Sequence, residues 1–306
     1  MSPTAALHDP VFRVYAGVVF ALLVFAGALL GLLHFVFRIQ LGSVWKTYRA
    51  WLWMAPLAAL LVFAGRTVFI LGVTAVGVMA AKEFSRGSKL DRDRWMIAAV
   101  FAGIVGSGMA ALIERGFRFV PLGALLLMAL VAILRNRSRP RELQRLSLGT
   151  LAFALFGWML GHLALLANTR NAYGYLCFVL FATEVNDVAG FTFGKMFGRH
   201  PLRSGISPHK TWEGALGALA LSLALPWLLR FSFPFFGPWQ LLLAGLIVGI
   251  GGPLGDLLLS AIKRDLGLKD WSAAISGHGG VLDRIDSLIF VAPLFMLLAG
   301  YYDLGR

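Results

Sequence analysis

The chain has 306 residues, of which 58% are hydrophobic and only 14% are charged, and its mean hydropathy is +0.77. Together with repeated apolar runs of 15 to 25 residues, this composition excludes a sizeable water-soluble domain and predicts a polytopic membrane protein. The single cysteine, Cys177, excludes an intrachain disulfide.

Ten apolar segments separated by charged clusters predict an all-α fold with about nine or ten transmembrane helices. The first segment is too long for the apolar region of a secretory signal and lacks an obvious cleavage site, so we interpret it as a span. The second and third are short and also fit a hairpin that does not fully cross. The segments are 13–37, 51–65, 67–81, 95–113, 119–134, 148–167, 173–193, 212–231, 239–262 and 287–302.

Basic residues concentrate in alternate loops between these segments. Five loops hold 21 of the 28 Lys and Arg residues, so we expect these loops to be cytoplasmic and both termini to face outward, in a bacterial cytoplasmic membrane. The net charge of +13 reflects this topology and attraction to anionic lipid, and the absence of a binding module argues against nucleic acid. The five loops are 38–50, 82–94, 135–147, 194–211 and 263–286.

Eight of the fifteen acidic residues lie in two windows of the C-terminal half, 184–213 and 256–286. Glu184 and Asp187 are three residues apart and therefore share a helix face. Asp256 follows three glycines and a proline within 251–255, which are expected to weaken or break the helix and place Asp256 at a bend. An acid inside a span usually faces a cavity, a partner or an ion, and a structural ion pair is the alternative.

The helix face that carries Asp256 continues with polar residues. Ser260 is four residues further on and Lys263 follows one turn later, so this face offers a carboxylate, a hydroxyl and an ammonium group. Ser260 is also compatible with plain packing between helices.

A glycine-rich run, Gly277-His278-Gly279-Gly280, comes just before Asp283 and Asp286. Glycines let backbone N–H groups reach phosphate oxygens, although the two acids at i, i+3 also suit the capping of a helix start. His278 is left open as a ligand, an acid/base or a hydrogen-bonding strut. Carboxylates beside Lys and Arg are typical of phosphoryl transfer, and we expect Asp256, Asp283 and Asp286 to converge on one or two Mg²⁺ ions.

A second polar segment contains Ser207, Lys210, Thr211 and Glu213 at the start of the span 212–231. It lacks the Walker spacing and no strand is expected before it, which excludes a P-loop. A cation and hydroxyls at a helix start nevertheless favour an anion at headgroup depth.

Together these residues resemble the phosphatidate cytidylyltransferase (CDP-diacylglycerol synthase) family. The resemblance covers about the C-terminal 120 residues, whereas 1–175 is similar to the family only as a hydrophobic multispan region. We therefore divide the chain into a multispan region, 1–170, and a catalytic region, 171–306. The matching residues are Ser207, Pro208, Lys210, Thr211, Glu213, Gly214, Gly255, Asp256, Ser260, Lys263, Arg264, Lys269, Asp270, Gly277, His278, Gly279, Gly280, Asp283, Arg284 and Asp286.

The resemblance implies that CTP and phosphatidic acid condense to CDP-diacylglycerol and pyrophosphate, with Mg²⁺, at the cytoplasmic membrane surface. Expected partners are CTP, phosphatidic acid or a related lipid phosphate, and membrane lipids, with a homodimer left open. Lys263, Arg264 and Arg284 are assigned to the triphosphate, and the 207–211 block to the lipid phosphate, with the nucleotide as its alternative. The implied catalytic residues are Asp256, Ser260, Lys263, Arg264, His278, Asp283, Arg284 and Asp286. The implied nucleotide contacts are Lys263, Arg264, Lys269, Gly279 and Gly280, and the implied substrate contacts are Asp187, Ser207, Lys210, Thr211 and Glu213.

Three residues depart from the family pattern, since Phe191 replaces a tyrosine, Leu259 an acid and Ser276 a proline, and the sequence Asn-Asp-Val-Ala at 186–189 indicates a paralogous branch. They leave open a cytidylyltransferase or CTP-dependent kinase for another lipid, such as a prenyl substrate, and a non-catalytic paralogue. An ion-coupled transporter is disfavoured, because it needs neither the glycine-rich run nor the Lys/Arg pairs, and no internal repeat is found.

Overall fold

A computed structural model describes residues 1–35, 37–38, 42–134, 142–272 and 280–304. The helices of the first half are α1 (Pro3–His8), α2 (Pro10–Phe35), α3 (Gly42–Phe63), α4 (Arg66–Gly87), α5 (Arg94–Ile113), α6 (Val120–Leu134), α7 (Glu142–Ala152) and α8 (Gly161–Leu166), with a π-helix at Phe153–Met159. Those of the second half are α9 (Ala172–Phe197), α10 (Trp212–Leu228), α11 (Pro238–Asp265), α12 (Leu282–Ile285) and α13 (Leu288–Leu304). A hairpin of β1 (Pro201–Arg203) and antiparallel β2 (Ser207–Thr211) precedes α10.

The predicted all-α polytopic fold is confirmed, since each of the ten predicted spans overlaps one long helix when α7, the π-helix and α8 are taken as one. Within the described residues, seven helices are long and apolar enough to cross a membrane, and α10 is a shorter apolar helix. Whether 51–65 and 67–81 form two full spans or a hairpin that does not fully cross stays a prediction, since α4 is among these seven helices and α3 is not. Both α3 and α4 have 22 residues, or ~33 Å, because the helices continue through polar ends that contain Lys46 and Glu83.

The helix break expected before Asp256 is wrong, because α11 continues through Pro253 to Asp265. The small residues act in packing instead. A Cβ added to Gly255 would meet the backbone oxygen of Asp286, and one added to Gly252 would lie 3.2 Å from Nδ2 of Asn186. These glycines therefore allow α11 to approach α9 and the segment before α13 closely.

Three of the basic loops, 82–94, 194–211 and 263–286, meet at one end of the helices. Arg264, at the end of α11, donates from Nε to the backbone oxygen of Ile206 in the hairpin at 3.2 Å. Glu83, at the end of α4, accepts a hydrogen bond from Ser272. Residues 135–141, which carry most of the charge of the third basic loop, lie outside the described residues.

The other end of the helices has its own polar contacts. The hydroxyls of Tyr15 on α2 and Ser232 after α10 are 2.8 Å apart. Arg66, at the start of α4, donates from Nε to Oδ1 of Asn168 at 2.6 Å. The loops between the helices therefore form two sets at opposite ends of the bundle, as expected when successive spans cross in alternate directions.

The core is aromatic and the outer helices expose apolar side chains. Phe25 of α2 and Ile133 of α6 are 66% and 76% exposed, as expected of a lipid-facing surface. Core residues come from both halves of the chain, and the division into 1–170 and 171–306 stays a prediction. The fully buried aromatic cluster joins α9, the turn after α10, and α13 through Tyr175, Phe178, Phe233, Phe236 and Phe295.

Candidate active site

Asp256 on α11 lies between a lysine and a serine. Nζ of Lys210 is 2.6 Å from Oδ2 of Asp256, and Oγ of Ser260 donates to Oδ1 at 3.1 Å. The shared helix face predicted for Asp256 and Ser260 is thus observed, because residues four apart lie above one another. Lys210 and Asp256 are 27% and 29% exposed, so water only partly screens the pair. This ion pair joins the hairpin to α11.

A second ion pair lies two turns further along α11. Nζ of Lys263 is 2.7 Å from Oδ1 of Asp283, and the backbone N–H of Gly280 donates to Oδ2 at 3.0 Å. Both side chains are largely buried, at 13% and 12% exposure. Asp283 is therefore fixed through both oxygens, and the ammonium group of Lys263 is held at the start of α12.

Two further carboxylates lie near Asp256. The hydroxyl of Ser287 donates to both carboxylate oxygens of Asp187, at 3.3 and 3.0 Å. Burial, followed by the negative charges of Asp256, Asp187 and Asp283, raises the pKa of Asp286 well above its usual range. Carboxylates that repel one another in this way are stabilised by a cation.

The chemistry of these oxygens suits a hard divalent cation, which prefers carboxylate ligands. In the part of the chain that the structure describes, however, no three His, Cys, Asp or Glu side chains are grouped closely enough to hold an ion. Two of the predicted ligands, Asp256 and Asp283, are paired with lysines instead. The convergence of Asp256, Asp283 and Asp286 on a metal stays a prediction.

The hairpin presents Lys210, and its neighbours have structural partners. Thr211 is the N-cap of α10, and its Oγ1 accepts from the N–H of Gly214 at 3.2 Å. Glu213 accepts from two backbone N–H groups just before β1, at 3.1 and 3.3 Å. Within this block, Lys210 is therefore the side chain that reaches the acids of α11.

Ser207 lies half-buried at the start of β2. The expectation that no strand precedes α10 is wrong, since β1 and β2 lie directly before it. Strands of three and five residues, with Pro208 inside the second, carry too little periodicity to be predicted. Arg264 contacts the turn of this hairpin through the oxygen of Ile206.

The other predicted residues have different surroundings. Lys269 is exposed beyond the end of α11. Arg284 is half-buried in α12, close enough to Glu184 of α9 to act on it electrostatically. His278 and Gly279 lie outside the described residues, and their roles stay predictions.

Glu83 contacts the site but was not predicted. Its carboxylate accepts from Oγ of Ser272 at 2.7 Å and from the N–H groups of Val281 and Leu282 at 3.1 and 3.0 Å. Its signal in the sequence is weak, because it is one of three acids in the basic loop 82–94, far from the other motifs. Only the three-dimensional contact identifies it.

Asn186 and Ser287 also received no role from the sequence. Asn186 is 1% exposed, and its Oδ1 accepts from Oγ of Ser222 on α10 at 3.0 Å. Ser287 is 3% exposed and binds Asp187. The sequence signal that could have identified Asn186 is its place beside an acid in an apolar run, because a buried amide needs hydrogen-bond partners.

The fold and the site together define an integral membrane protein with carboxylates and ammonium groups clustered at one end of its helices. The chain belongs to the cytidylyltransferase family, whose model matches residues 45–302. The predicted resemblance is confirmed, and it extends over most of the N-terminal region, which the motifs alone did not connect to the family. As a member of the cytidylyltransferase family, the protein is classed as a nucleotidyltransferase.

Individual relatives give a mixed description. Uncharacterized protein YnbB of Escherichia coli (strain K12) is 32% identical over 270 residues, which cover 85% of this chain and 88% of that protein. The phosphatidate cytidylyltransferase of Staphylococcus haemolyticus is 39% identical over 140 residues, covering 45% and 54%. That of Staphylococcus aureus (strain COL) is 42% identical over 125 residues, covering 40% and 48%. The chain thus spans about half the length of the relatives that carry this name.

Proposed function

We propose that the protein transfers the cytidylyl group of CTP to phosphatidic acid. A phosphate oxygen of the lipid attacks the α-phosphorus of CTP, the bond from the α-phosphorus to the oxygen that bridges to the β-phosphorus breaks, and pyrophosphate leaves. Family membership supports cytidylyl transfer, and the names of the staphylococcal relatives support the lipid acceptor.

The contact between Lys210 and Asp256 is the observation that carries this proposal. It places the cation of the hairpin beside a carboxylate of α11, and Lys263 lies on the same helix face. Two phosphate-bearing substrates need cations from two directions at one carboxylate cluster. These two lysines, from two different elements, meet that need.

The reaction requires stabilisation of negative charge more than it requires a strong general base. A phosphate monoester carries about −1.5 to −2 charges near neutral pH and is already nucleophilic. Repulsion between the two phosphate groups and the charge on the departing pyrophosphate form the obstacle. We assign Lys263, Arg264 and Arg284 to the triphosphate and Lys210 to the lipid phosphate. Ser260 holds the orientation of the Asp256 carboxylate.

Asp256, Asp283 and Asp286 are the residues that would hold a divalent cation, for which we propose Mg²⁺. The cation supplies electrophilic stabilisation of the phosphate oxygens when it is bound. The raised pKa of Asp286 supports this, because a cluster of buried carboxylates gains most from a positive charge.

We also propose that the site faces the cytoplasm of a bacterial cell. The hairpin, the end of α11 and the end of α4 share one end of the bundle and belong to basic loops. Such loops favour the cytoplasmic side, where CTP is made, and the bilayer supplies the lipid at headgroup depth.

A different lipid phosphate, such as a prenyl phosphate, is the second candidate acceptor. The observation that favours it is the sequence around the site, where Phe191 and Leu259 replace a family tyrosine and acid. The wide match to a relative described only as uncharacterised is compatible with both acceptors.

The test uses purified protein in detergent with CTP labelled at either the α- or the γ-phosphate, and Asp256→Asn as the negative control. Phosphatidic acid, polyprenyl phosphate and diacylglycerol are compared as acceptors. We expect α-label in lipid with phosphatidic acid. If α-label enters lipid only when polyprenyl phosphate is the acceptor, the second candidate is supported. Transfer of γ-label to a lipid indicates a kinase. The absence of labelled lipid with every acceptor contradicts the proposal.

A further inference from the structure

Glu83, at the end of α4, is a buried acid with 7% exposure, outside the C-terminal motifs. We propose that Glu83 is a positioning residue of the active site, which holds Asp283 and the start of α12 in place from the N-terminal half of the chain. The inference rests on the proposed function for its kinetic consequences, but its structural content can be tested separately.

The contacts of Glu83 lie on both sides of residues 273–279. One carboxylate oxygen accepts from Oγ of Ser272 at 2.7 Å and from the N–H of Val281 at 3.1 Å. The other accepts from the N–H of Leu282 at 3.0 Å. The first N–H groups of a helix have no partner within the helix, so Glu83 satisfies two of them at the start of α12.

The backbone that Glu83 binds continues directly into Asp283, a proposed catalytic carboxylate. Asp283 follows Leu282 directly, accepts from the N–H of Gly280 and pairs with Lys263. The backbone on which Asp283 depends is therefore the backbone that Glu83 binds. A displacement of Val281 and Leu282 would move Asp283 relative to Lys263.

Gly280 gives independent support. A Cβ added at this position would meet Oε2 of Glu83. The space taken by the Glu83 carboxylate is therefore one reason for a glycine here, in addition to the nucleotide contact that the resemblance implies.

Packing at the end of α4 restrains the same segment. The rings of Phe84 and Trp271 have their centroids 5.6 Å apart. A Cβ added to Gly87 would lie 2.8 Å from Leu268 and 3.1 Å from Trp271. The last turn of α4 thus forms a supporting surface for the segment that leads to the site.

The donors around Glu83 explain why it needs a charge. A buried carboxylate is stabilised when it accepts several hydrogen bonds, and here three donors point at its two oxygens. In Glu83→Gln the shape is kept, but an NH₂ group replaces one acceptor and must face a donor. The variant therefore tests the charge and the acceptors without creating a cavity.

The kinetic test compares wild type, Glu83→Gln and Gly280→Ala in the labelled-CTP assay. The matched control is Glu114→Gln, an exposed acid at the other end of the helices that pairs with Arg66. We expect kcat to fall roughly 10- to 100-fold in both site variants, as for partners that orient ligand carboxylates, and the KM for CTP to change less than about threefold in Glu83→Gln, which has no assigned nucleotide contact. The control should stay within about twofold of wild type.

Hydrogen–deuterium exchange on the purified protein gives the second measurement, and it requires no turnover. Exchange over 280–286 should become at least about tenfold faster in Glu83→Gln, with no change over 230–238. Unchanged exchange over 280–286 overturns the inference. So does wild-type kcat in an active preparation, or a kcat loss matched by an equal loss of folded protein. If wild type itself labels no lipid, the proposed function fails, while the exchange result still decides whether Glu83 holds α12.

Discussion

Lys210 and Asp256 form an ion pair of 2.6 Å between the β hairpin and α11, two elements that the sequence separates by the whole of α10. The pair places a cation assigned to the lipid at a carboxylate assigned to the metal. On the proposed assignments the two substrates would bind within a few ångströms of each other, and individual lysines can be assigned by their effect on each KM.

Lys210→Ala should raise the KM for phosphatidic acid at least about tenfold and change the KM for CTP less, because the lost ammonium group is the one proposed to bind the lipid phosphate. Lys263→Ala should do the reverse or abolish kcat. Initial rates with each substrate varied in turn measure this, with Lys195→Ala, an exposed lysine near the same hairpin, as control. A KM effect of Lys210→Ala on CTP alone would reverse the assignment.

Asp256→Asn and Asp283→Asn should each lower kcat more than about tenfold, because each removes a charge proposed to hold the cation and leaves a lysine without its partner. Rates are measured at saturating CTP over a range of Mg²⁺ concentrations. Asp265→Asn, exposed at the end of α11, serves as control. Losses below tenfold in both variants would argue against the metal role.

Gly255→Ala should lower both activity and stability, because its Cβ would meet the backbone oxygen of Asp286 and push the segment before α13 away from α11. Overpacking of this kind costs about 1–3 kcal/mol. Gly251→Ala is a matched control one turn earlier, where the nearest atoms would be 3.5 Å away. Thermal unfolding in detergent and turnover are compared, and equal behaviour of the two variants would contradict the close approach.

Ser204→Cys, in a Cys177→Ser background, should resist an impermeant thiol reagent added to intact cells, because the exposed turn of the hairpin is proposed to be cytoplasmic. Arg115→Cys, exposed in the turn after α5, should react from outside. Permeabilised cells should label both. Strong external labelling at position 204 would refute the orientation.

The helices were predictable because apolar length is a strong local signal, and the errors occur where polar residues extend a helix. Lys46 and Glu83 lie within α3 and α4 although they end the apolar runs. The break expected near Pro253 fails for a different reason. Neighbouring helices pack closely enough against the glycines around it to keep α11 continuous.

In the site, predictions from local spacing succeeded and contacts between distant segments were missed. The four-residue interval predicted the shared face of Asp256 and Ser260, which the hydrogen bond confirms. Nothing local to Lys263 indicates that it pairs with Asp283, 20 residues away, and nothing near Glu83 indicates a contact with Leu282. Such pairs depend on how helices are arranged, which one sequence without homologues does not specify.

The hydrogen bonds of Glu83 to Val281 and Leu282 have a consequence for how this chain can be divided. A fragment that contains all of the C-terminal motifs, 171–306, lacks α4 and with it the partner of the first turn of α12. Such a fragment should not be active alone, whereas separate expression of both pieces in one membrane should restore turnover if α4 docks. The unit that must be inherited or transplanted as a whole is therefore a helical bundle that includes α4, and the motif-bearing segment is only its most recognisable part.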